Sequence, residues 1–293
     1  MQKRHLMGVF VTLLTFTILM SGCGRPNEVL LHWQEKYNYK PDQVYSMDVD
    51  ENGLPHVKVV INDNDLDMMF DTGNMKGMSI GLDKSRKVKL ARVDNWNGED
   101  YRGGSIGKYS IFLASKIAVF NESWKDQRIY EESKYEGYDG SIGPLYIGKG
   151  RERFTLDYKN KLIGVGYSQG HIDDKNVSML PIVRNLKYNK MIVVKGKVNG
   201  HEVLIQIDTG RTKTGIDARL ADKLKLTKTD EGHVIDSILL GSYEFNVPNA
   251  EEVDLKALDK NFSEPVLISI GSDVISRMVL TVDYFKNQII ISK

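Results

Sequence analysis

Cysteine occurs once in 293 residues, at Cys23, so no disulfide can form within the chain and a packed core must supply its stability. Charge of one sign is not in excess. The formal net charge is +1, and no basic stripe interleaves with aromatic residues, which removes nucleic acid as an expected partner. The six histidines (His5, His32, His56, His171, His201, His233) are scattered, without ligand spacing such as H-x-x-x-H, so no metal is expected. No cofactor is expected either: Gly148-Lys149-Gly150 lacks the rest of a phosphate loop. Gly103 to Gly107 matches G-x-S-x-G. The flanking NGEDYR and KYSIFLAS, however, do not read as the buried strand and following helix that such a serine requires. Sustained helical periodicity is scarce. The exception is IDARLADKLKL, Ile216 to Leu226, where Ile216, Leu220 and Leu224 share a helical face. Against these absences, 41% of the residues are hydrophobic and 27% charged, an ordinary globular composition that allows a sizeable core. The length suits one large domain or two lobes of roughly 100–150 residues each.

The N-terminus also lacks something: its apolar run, Leu6 to Met20, has 15 residues and is short for a membrane span. Lys3 and Arg4 precede it, and Met20-Ser21-Gly22-Cys23 ends it. Small residues directly before the lone cysteine resemble the lipobox of bacterial lipoproteins. That resemblance implies a signal peptide over residues 1–22 and lipidation of Cys23 as the mature N-terminus. It also implies anchoring to the cell membrane or outer membrane, facing outside the cytoplasm. An uncleaved signal anchor and an ordinary secretory peptide are the other readings. Loss of residues 1–22 removes two positive charges, Lys3 and Arg4, and leaves a net charge of about −1. Residues 23–47 read as a polar tether with one short helix around Val29 to Tyr37, acting as a spacer or an inhibitory segment. Trp33 and the tyrosines at 37–45 read either as a membrane-proximal docking surface or as an ordinary packed segment.

From about Asp48 onward the texture is β: short runs of Val, Ile, Leu, Tyr and Phe broken by Gly, Asn and Asp. Within it lies an internal repeat. VVINDNDLDMMFDTG (Val59 to Gly73) matches GKVNGHEVLIQIDTG (Gly196 to Gly210). Asn62 precedes Asp71 by nine residues, as Asn199 precedes Asp208, and Asn199-Gly200 is a strong hairpin signal. Ser141-Ile142-Gly143 ends 72 residues after Asp71, and Ser269-Ile270-Gly271 ends 63 after Asp208. RFTLDYKNKLIGVG (Arg153 to Gly166) then matches MVLTVDYFKNQIII (Met278 to Ile291). Three landmarks recurring in order divide the chain into two similar lobes, 48–166 and 188–293, joined by a connection at 167–187.

A strand ending in an acid is costly unless the acid is needed there. Paired D-T-G motifs with downstream S-I-G partners resemble the aspartic peptidases, in the bilobal pepsin-like arrangement, with short lobes closer to retropepsin-like bacterial aspartyl proteases. The resemblance covers about 240 of the 293 residues. It implies an all-β fold of two similar β-barrel lobes with the active-site cleft between them. It implies an endopeptidase acting on a peptide or protein substrate, working as a monomer because one chain carries both acids. Asp71 and Asp208 would be the catalytic pair, sharing one proton and activating one water. Thr72 and Thr209 would hydrogen-bond across the lobe interface, and Gly73 and Gly210 would let backbone N–H groups approach the carboxylates. A hairpin flap is expected in DNWNGEDYRGGSIG (Asp94 to Gly107), with Tyr101 as the substrate-facing aromatic, and no equally good flap is found in the second lobe.

Two positions depart from the pattern. Asn74 and Arg211 follow the D-T-G motifs where the family usually has Ser, Thr or Ala. If Arg211 points at the two acids it favours their charged form and hinders proton sharing; if it points outward it can bind an acidic substrate group. A lipoprotein that keeps the fold but binds a peptide or partner without hydrolysis is the competing reading.

Overall fold

The computed structural model describes residues 26–39, 43–99, 105–132, 137–147, 152–166, 177–184 and 190–292. The described chain starts with helix α1 (Pro26–Tyr37), followed by two short strands, β1 (Val44–Ser46) and β2 (Asp48–Val49). Next comes the hairpin of β3 (Pro55–Ile61) and β4 (Asn64–Phe70). It turns through Asn62 and Asp63, both at positive φ (46° and 65°), the backbone a two-residue hairpin turn requires. Strand β5 (Met78–Gly81) and the short helix α2 (Leu82–Ser85) lead to a long hairpin, β6 (Ala91–Glu99) and β7 (Ser105–Val119). Strands β8 (Glu122–Glu132), β9 (Gly140–Ile142), β10 (Arg153–Asp157) and β11 (Leu162–Val165) complete the first half.

After β12 (Val177–Pro181) comes the hairpin of β13 (Val193–Val198) and β14 (His201–Ile207), turning through Asn199 and Gly200 at φ 45° and 83°. Strand β15 (Gly215–Asp217), helix α3 (Ala218–Leu224), β16 (Lys228–Thr229), β17 (Gly232–Leu240) and β18 (Tyr243–Val253) follow. The chain then runs through helix α4 (Lys256–Asp259), β19 (Val266–Ile270), helix α5 (Ser272–Ile275), β20 (Val279–Asp283) and β21 (Gln288–Ser292).

The fold is all-β in class, and its two halves share one strand order. The first forms an eight-stranded sheet, β2-β3-β4-β9-β5-β8-β7-β6, and the second a seven-stranded sheet, β13-β14-β19-β15-β18-β17-β16. In each, a late strand inserts between two early ones. β9 runs parallel to β4 and antiparallel to β5, and β19 stands in the same relation to β14 and β15. Each sheet also folds back on itself, through pairing of β3 with β7 and of β13 with β17. Strands alternate or run fully buried as their position demands. β17 alternates towards a one-sided core, whereas β5, β9 and β15 are buried throughout.

A third, six-stranded sheet, β1-β11-β10-β20-β21-β12, takes hairpin β10–β11 from one half and hairpin β20–β21 from the other. At its centre Thr155 pairs with Thr281, their hydroxyls 2.7 Å apart. Beside them the buried Arg153 guanidinium donates to the fully buried Asp283 at 2.6 Å. One continuous apolar cluster runs through both halves and this sheet, including Phe70, Ile142, Phe154, Ile207, Ile270 and Leu280.

One expectation needs correction, that of the helix from Ile216, and two others gain detail. The short helix expected within the 23–47 segment is α1. It packs on the six-stranded sheet through Trp33 and Tyr37, with Tyr39 just beyond it, all buried, and Trp33 Nε1 donates to Asp157 at 2.6 Å. Gly164 makes room for this, since a Cβ there would sit 2.5 Å from the Trp33 ring. The connection at 167–187 contains a paired strand, β12, hydrogen-bonded to β21, so the halves are joined within a sheet. The helix expected from Ile216 begins only at Ala218: Ile216 lies in β15, paired on both sides, and Asp217 caps α3 by accepting from the Arg219 N–H. Among the described residues no helix is long and apolar enough to cross a membrane.

Candidate active site

Strands β4 and β14 end in Phe70 and Ile207, both fully buried, and the chain emerges at Asp71 and Asp208, both half-buried. The strand inserted beside each aspartate holds its backbone. The Asp71 N–H donates to the Ile142 carbonyl at 2.9 Å, and the Asp208 N–H to the Ile270 carbonyl at 3.0 Å. Next in sequence, Thr72 and Thr209 are buried and face each other. The amide of each donates to the hydroxyl of the other at 3.0 Å. Each hydroxyl then donates to the carbonyl preceding the opposite aspartate: Thr72 to Ile207 at 2.9 Å, Thr209 to Phe70 at 2.6 Å. These four bonds join segments about 135 to 139 residues apart in sequence and fix the two loops to each other.

The glycines complete the arrangement. The Gly73 N–H donates to Asp71 Oδ1 at 2.7 Å, and the Gly210 N–H to Asp208 Oδ1 at 3.1 Å. Each glycine also abuts the opposite acid. A Cβ on Gly73 would lie 2.6 Å from Asp208 Oδ1, and one on Gly210 would lie 2.5 Å from Asp71 Oδ1. Each bare glycine therefore lets a carboxyl reach its partner.

The two carboxyls titrate as a coupled pair. Burial and the Asp208 charge push the Asp71 carboxyl well above its ordinary value, and Glu132 adds to this. Burial also raises Asp208, but the Arg211 guanidinium, the Gly210 N–H and the Asp71 hydrogen bond pull it back. Burial raises both carboxyls, which favours a pair that keeps one proton between them. One carboxylic acid beside one carboxylate can hold a water, take a proton from it and give a proton to an adjacent acceptor.

Beside Asp71 opens a pocket of about 660 Å³, lined by Met75, Trp96 and Glu132 from the first half and by Met191 and Leu258 from the second. Trp96 reaches it from β6, where its ring N–H donates to the Glu131 carbonyl at 3.0 Å and the Lys76 ammonium lies 3.4 Å from its ring centroid. The hairpin expected from Asp94 to Gly107 is present as β6 and β7. Its second-half counterpart, β16 and β17, is a stub, since β16 has two residues where β6 has nine. Tyr101 falls between β6 and β7 and, like Cys23, lies outside the described residues.

Asn74 and Arg211 occupy matching places but point differently. Asn74 turns into its own half and donates to Ser141 at 2.7 Å and Ser79 at 3.2 Å. Arg211 pairs with Glu251, 3.2 Å from its Nη2, and donates from Nε to the Lys213 carbonyl at 3.3 Å. Trp96 and Glu132 were not singled out from the sequence as site residues. Trp96 could have been chosen as the other aromatic in the expected flap. Glu132 carries no local signal, because the parallel pairing of β8 with β5 brings it to the pocket. Among the described residues no group of three or more His, Cys, Asp or Glu side chains is arranged to hold a metal ion. No protein-family model matches the chain, and no curated protein matches it.

Proposed function

We propose that the chain is an aspartic endopeptidase of two similar β lobes, with its cleft between them and Asp71 and Asp208 as its catalytic pair. The observation that carries this reading is the pair itself. Two half-buried carboxyls meet at the ends of equivalent strands, each beside the other's glycine, locked by the reciprocal Thr72–Thr209 bonds. In the reaction a water lies between the acids. Asp208, ionised, takes a proton from the water as its oxygen attacks the scissile carbonyl carbon. Asp71, protonated, gives its proton to the carbonyl oxygen, so the tetrahedral intermediate forms without a free oxyanion. Collapse of that intermediate transfers a proton to the amide nitrogen, the C–N bond breaks, and the amine leaves.

The pocket beside Asp71 draws walls from both halves, which suits a peptide lying across the cleft. The hairpin of β6 and β7, which brings Trp96 to the pocket, is the arm that closes over it, and Tyr101 is the proposed substrate-facing aromatic. One chain carries both acids, so a monomer suffices. Cys23 carries the lipid that anchors the protein to the cell membrane or outer membrane, outside the cytoplasm.

The test is a peptide-library digest by the detergent-purified full chain, from about pH 3 to pH 8, beside Asp71→Asn and Asp208→Asn. Cleavage by the wild type alone supports the reading. Absence of cleavage by a folded wild type overturns it in favour of a peptide- or partner-binding lipoprotein.

A further inference from the structure

The six-stranded sheet has two unlike faces. On β10, Phe154 and Leu156 point into the core, and the Phe154 ring lies 5.3 Å from that of Phe70, one residue before Asp71. Thr155 and Asp157 point the other way, where Tyr39 and Trp33 meet them at 3.1 and 2.6 Å. Helix α1 therefore lies across the sheet from the two acids. Tyr37 carries the same outer layer on to β21, its hydroxyl 3.4 Å from that of Ser292. Ser292 pairs with Val177, so Met179, two residues on and paired with Ile290, faces outward as well.

Among the described residues the most exposed large apolar side chains are Phe285, Leu31 and Met179, at 73, 57 and 49%. All three belong to this layer: Leu31 is on α1, Met179 on β12, and Phe285 in the turn between β20 and β21. Exposed lysines stand among them, Lys36 on α1, Lys159 and Lys161 in the turn between β10 and β11, and Lys286 beside Phe285. The exposed acids Glu28, Glu35 and Glu152 nearly balance them, so apolar contact rather than net charge would hold a partner here. Lysine stems lie along an apolar surface while their ammonium heads stay in a polar layer, which suits a lipid headgroup region. The chain also fixes how far this layer can stand from Cys23. Pro26, the first residue of α1, follows Cys23 by three residues, which span at most about 11 Å. The helix cannot swing on that length, because Trp33 and Tyr37 are buried against the sheet.

We propose that the outer face of the six-stranded sheet, with α1 docked on it, seats on the lipid bilayer, and that the cleft opens away from it. This rests on the lipid at Cys23 in the reading above and on no part of the hydrolytic chemistry. A lipid within reach of α1 brings Leu31 to the surface, and Met179 and Phe285 stand in the same layer. A lipid anchor and an apolar patch then act together, as stable membrane attachment by lipidation requires a second signal. Two consequences follow for the cleft. Residues 26–39 lie on the far side of the sheet from Asp71 and Asp208, so the segment need not be removed to free them. Substrate enters from the aqueous side, as an exposed segment of a soluble or peripheral protein rather than one embedded in the bilayer.

The experiment places the protein, expressed from the full chain and matured in the cell, in vesicles of phosphatidylethanolamine and phosphatidylglycerol. A polarity-sensitive fluorophore is attached through Leu31→Cys, Met179→Cys or Phe285→Cys. Val93→Cys and Leu145→Cys, 47 and 44% exposed in the first half, serve as controls. Quenching is read from nitroxide-bearing lipid and from aqueous iodide, and the mass of the N-terminal peptide reports the lipid at Cys23 separately. Labels at 31, 179 and 285 should be quenched several-fold more by the lipid nitroxide than those at 93 and 145, and shielded from iodide. Five labels quenched alike, or stronger lipid quenching at 93 and 145, overturn the proposal. Shielding from iodide without nitroxide quenching means that a second copy covers the face, and overturns it too. A lipidated Cys23 with every label in water rejects the seating alone, whereas an unmodified Cys23 rejects the anchor and the seating with it. Cleavage is not read, so the outcome is independent of the peptidase reading.

Discussion

The amide of Thr72 donates to the hydroxyl of Thr209 at 3.0 Å, and the amide of Thr209 donates to the hydroxyl of Thr72 at the same distance. Both residues are buried, so neither group can turn to water instead. Thr72→Val keeps the shape but deletes the acceptor for the Thr209 N–H and the donor for the Ile207 carbonyl. Leaving such groups unpaired costs about 1–3 kcal/mol. Urea unfolding should show that loss for Thr72→Val, whereas Thr72→Ser, which keeps the hydroxyl, should lie closer to wild type.

Gly73 predicts a different kind of damage. Its missing Cβ would lie 2.6 Å from Asp208 Oδ1, so Gly73→Ala must push the two carboxyls apart while leaving most of the core untouched. A displacement near 1 Å at reacting groups costs about a hundredfold in rate. Cleavage should fall by about that factor and the coupled carboxyl titration should weaken, with little change in melting temperature.

Stability should depend on pH through Asp71. Its folded-state pKa is raised, mainly by burial, so the folded protein binds this proton more tightly than the unfolded chain does. The stabilisation is full below the ordinary aspartate range, about pH 4, and is lost as pH rises through the raised folded value. Asp71→Asn removes that dependence. Compared by urea unfolding, the variant should exceed wild type in stability at neutral pH, and the advantage should shrink as the pH falls towards about 4 and stay constant below it.

The six-stranded sheet offers a test away from the acids. Arg153 and Asp283 are 7% and 0% exposed and joined at 2.6 Å. Arg153→Met leaves Asp283 buried without its cation, a change that typically costs roughly 3–5 kcal/mol. Because β10 and β20 come from different halves, the loss should appear in one cooperative transition followed by far-UV circular dichroism, not in one half alone.

Much of this site was legible because its signals are local. An acid at a buried strand end, followed by Thr and Gly and repeated after a matching Asn-led turn, needs no tertiary knowledge to be noticed. The features that were not legible depend on pairing between distant segments. Glu132 reaches the pocket only because β8 lies parallel to β5. Ile216 fits a helical face by period but belongs to a strand, since pairing with β18 and β19 overrides local preference. The docking of α1 depends on Gly164 accepting the Trp33 ring, a fit that composition does not announce. For Arg211, sequence posed two directions, and its partner Glu251, 40 residues on in β18, could not be read from local pattern.

The most direct test of the central claim compares the cleavage rates of Asp71→Asn, Asp208→Asn and the double variant, each confirmed as folded by circular dichroism. Two acids acting through one water and one shared proton form a unit, and losses within a unit do not add. The account predicts that each single variant falls to the same floor as the double variant. A single variant that retains wild-type cleavage, or losses that add in the double variant, would contradict it.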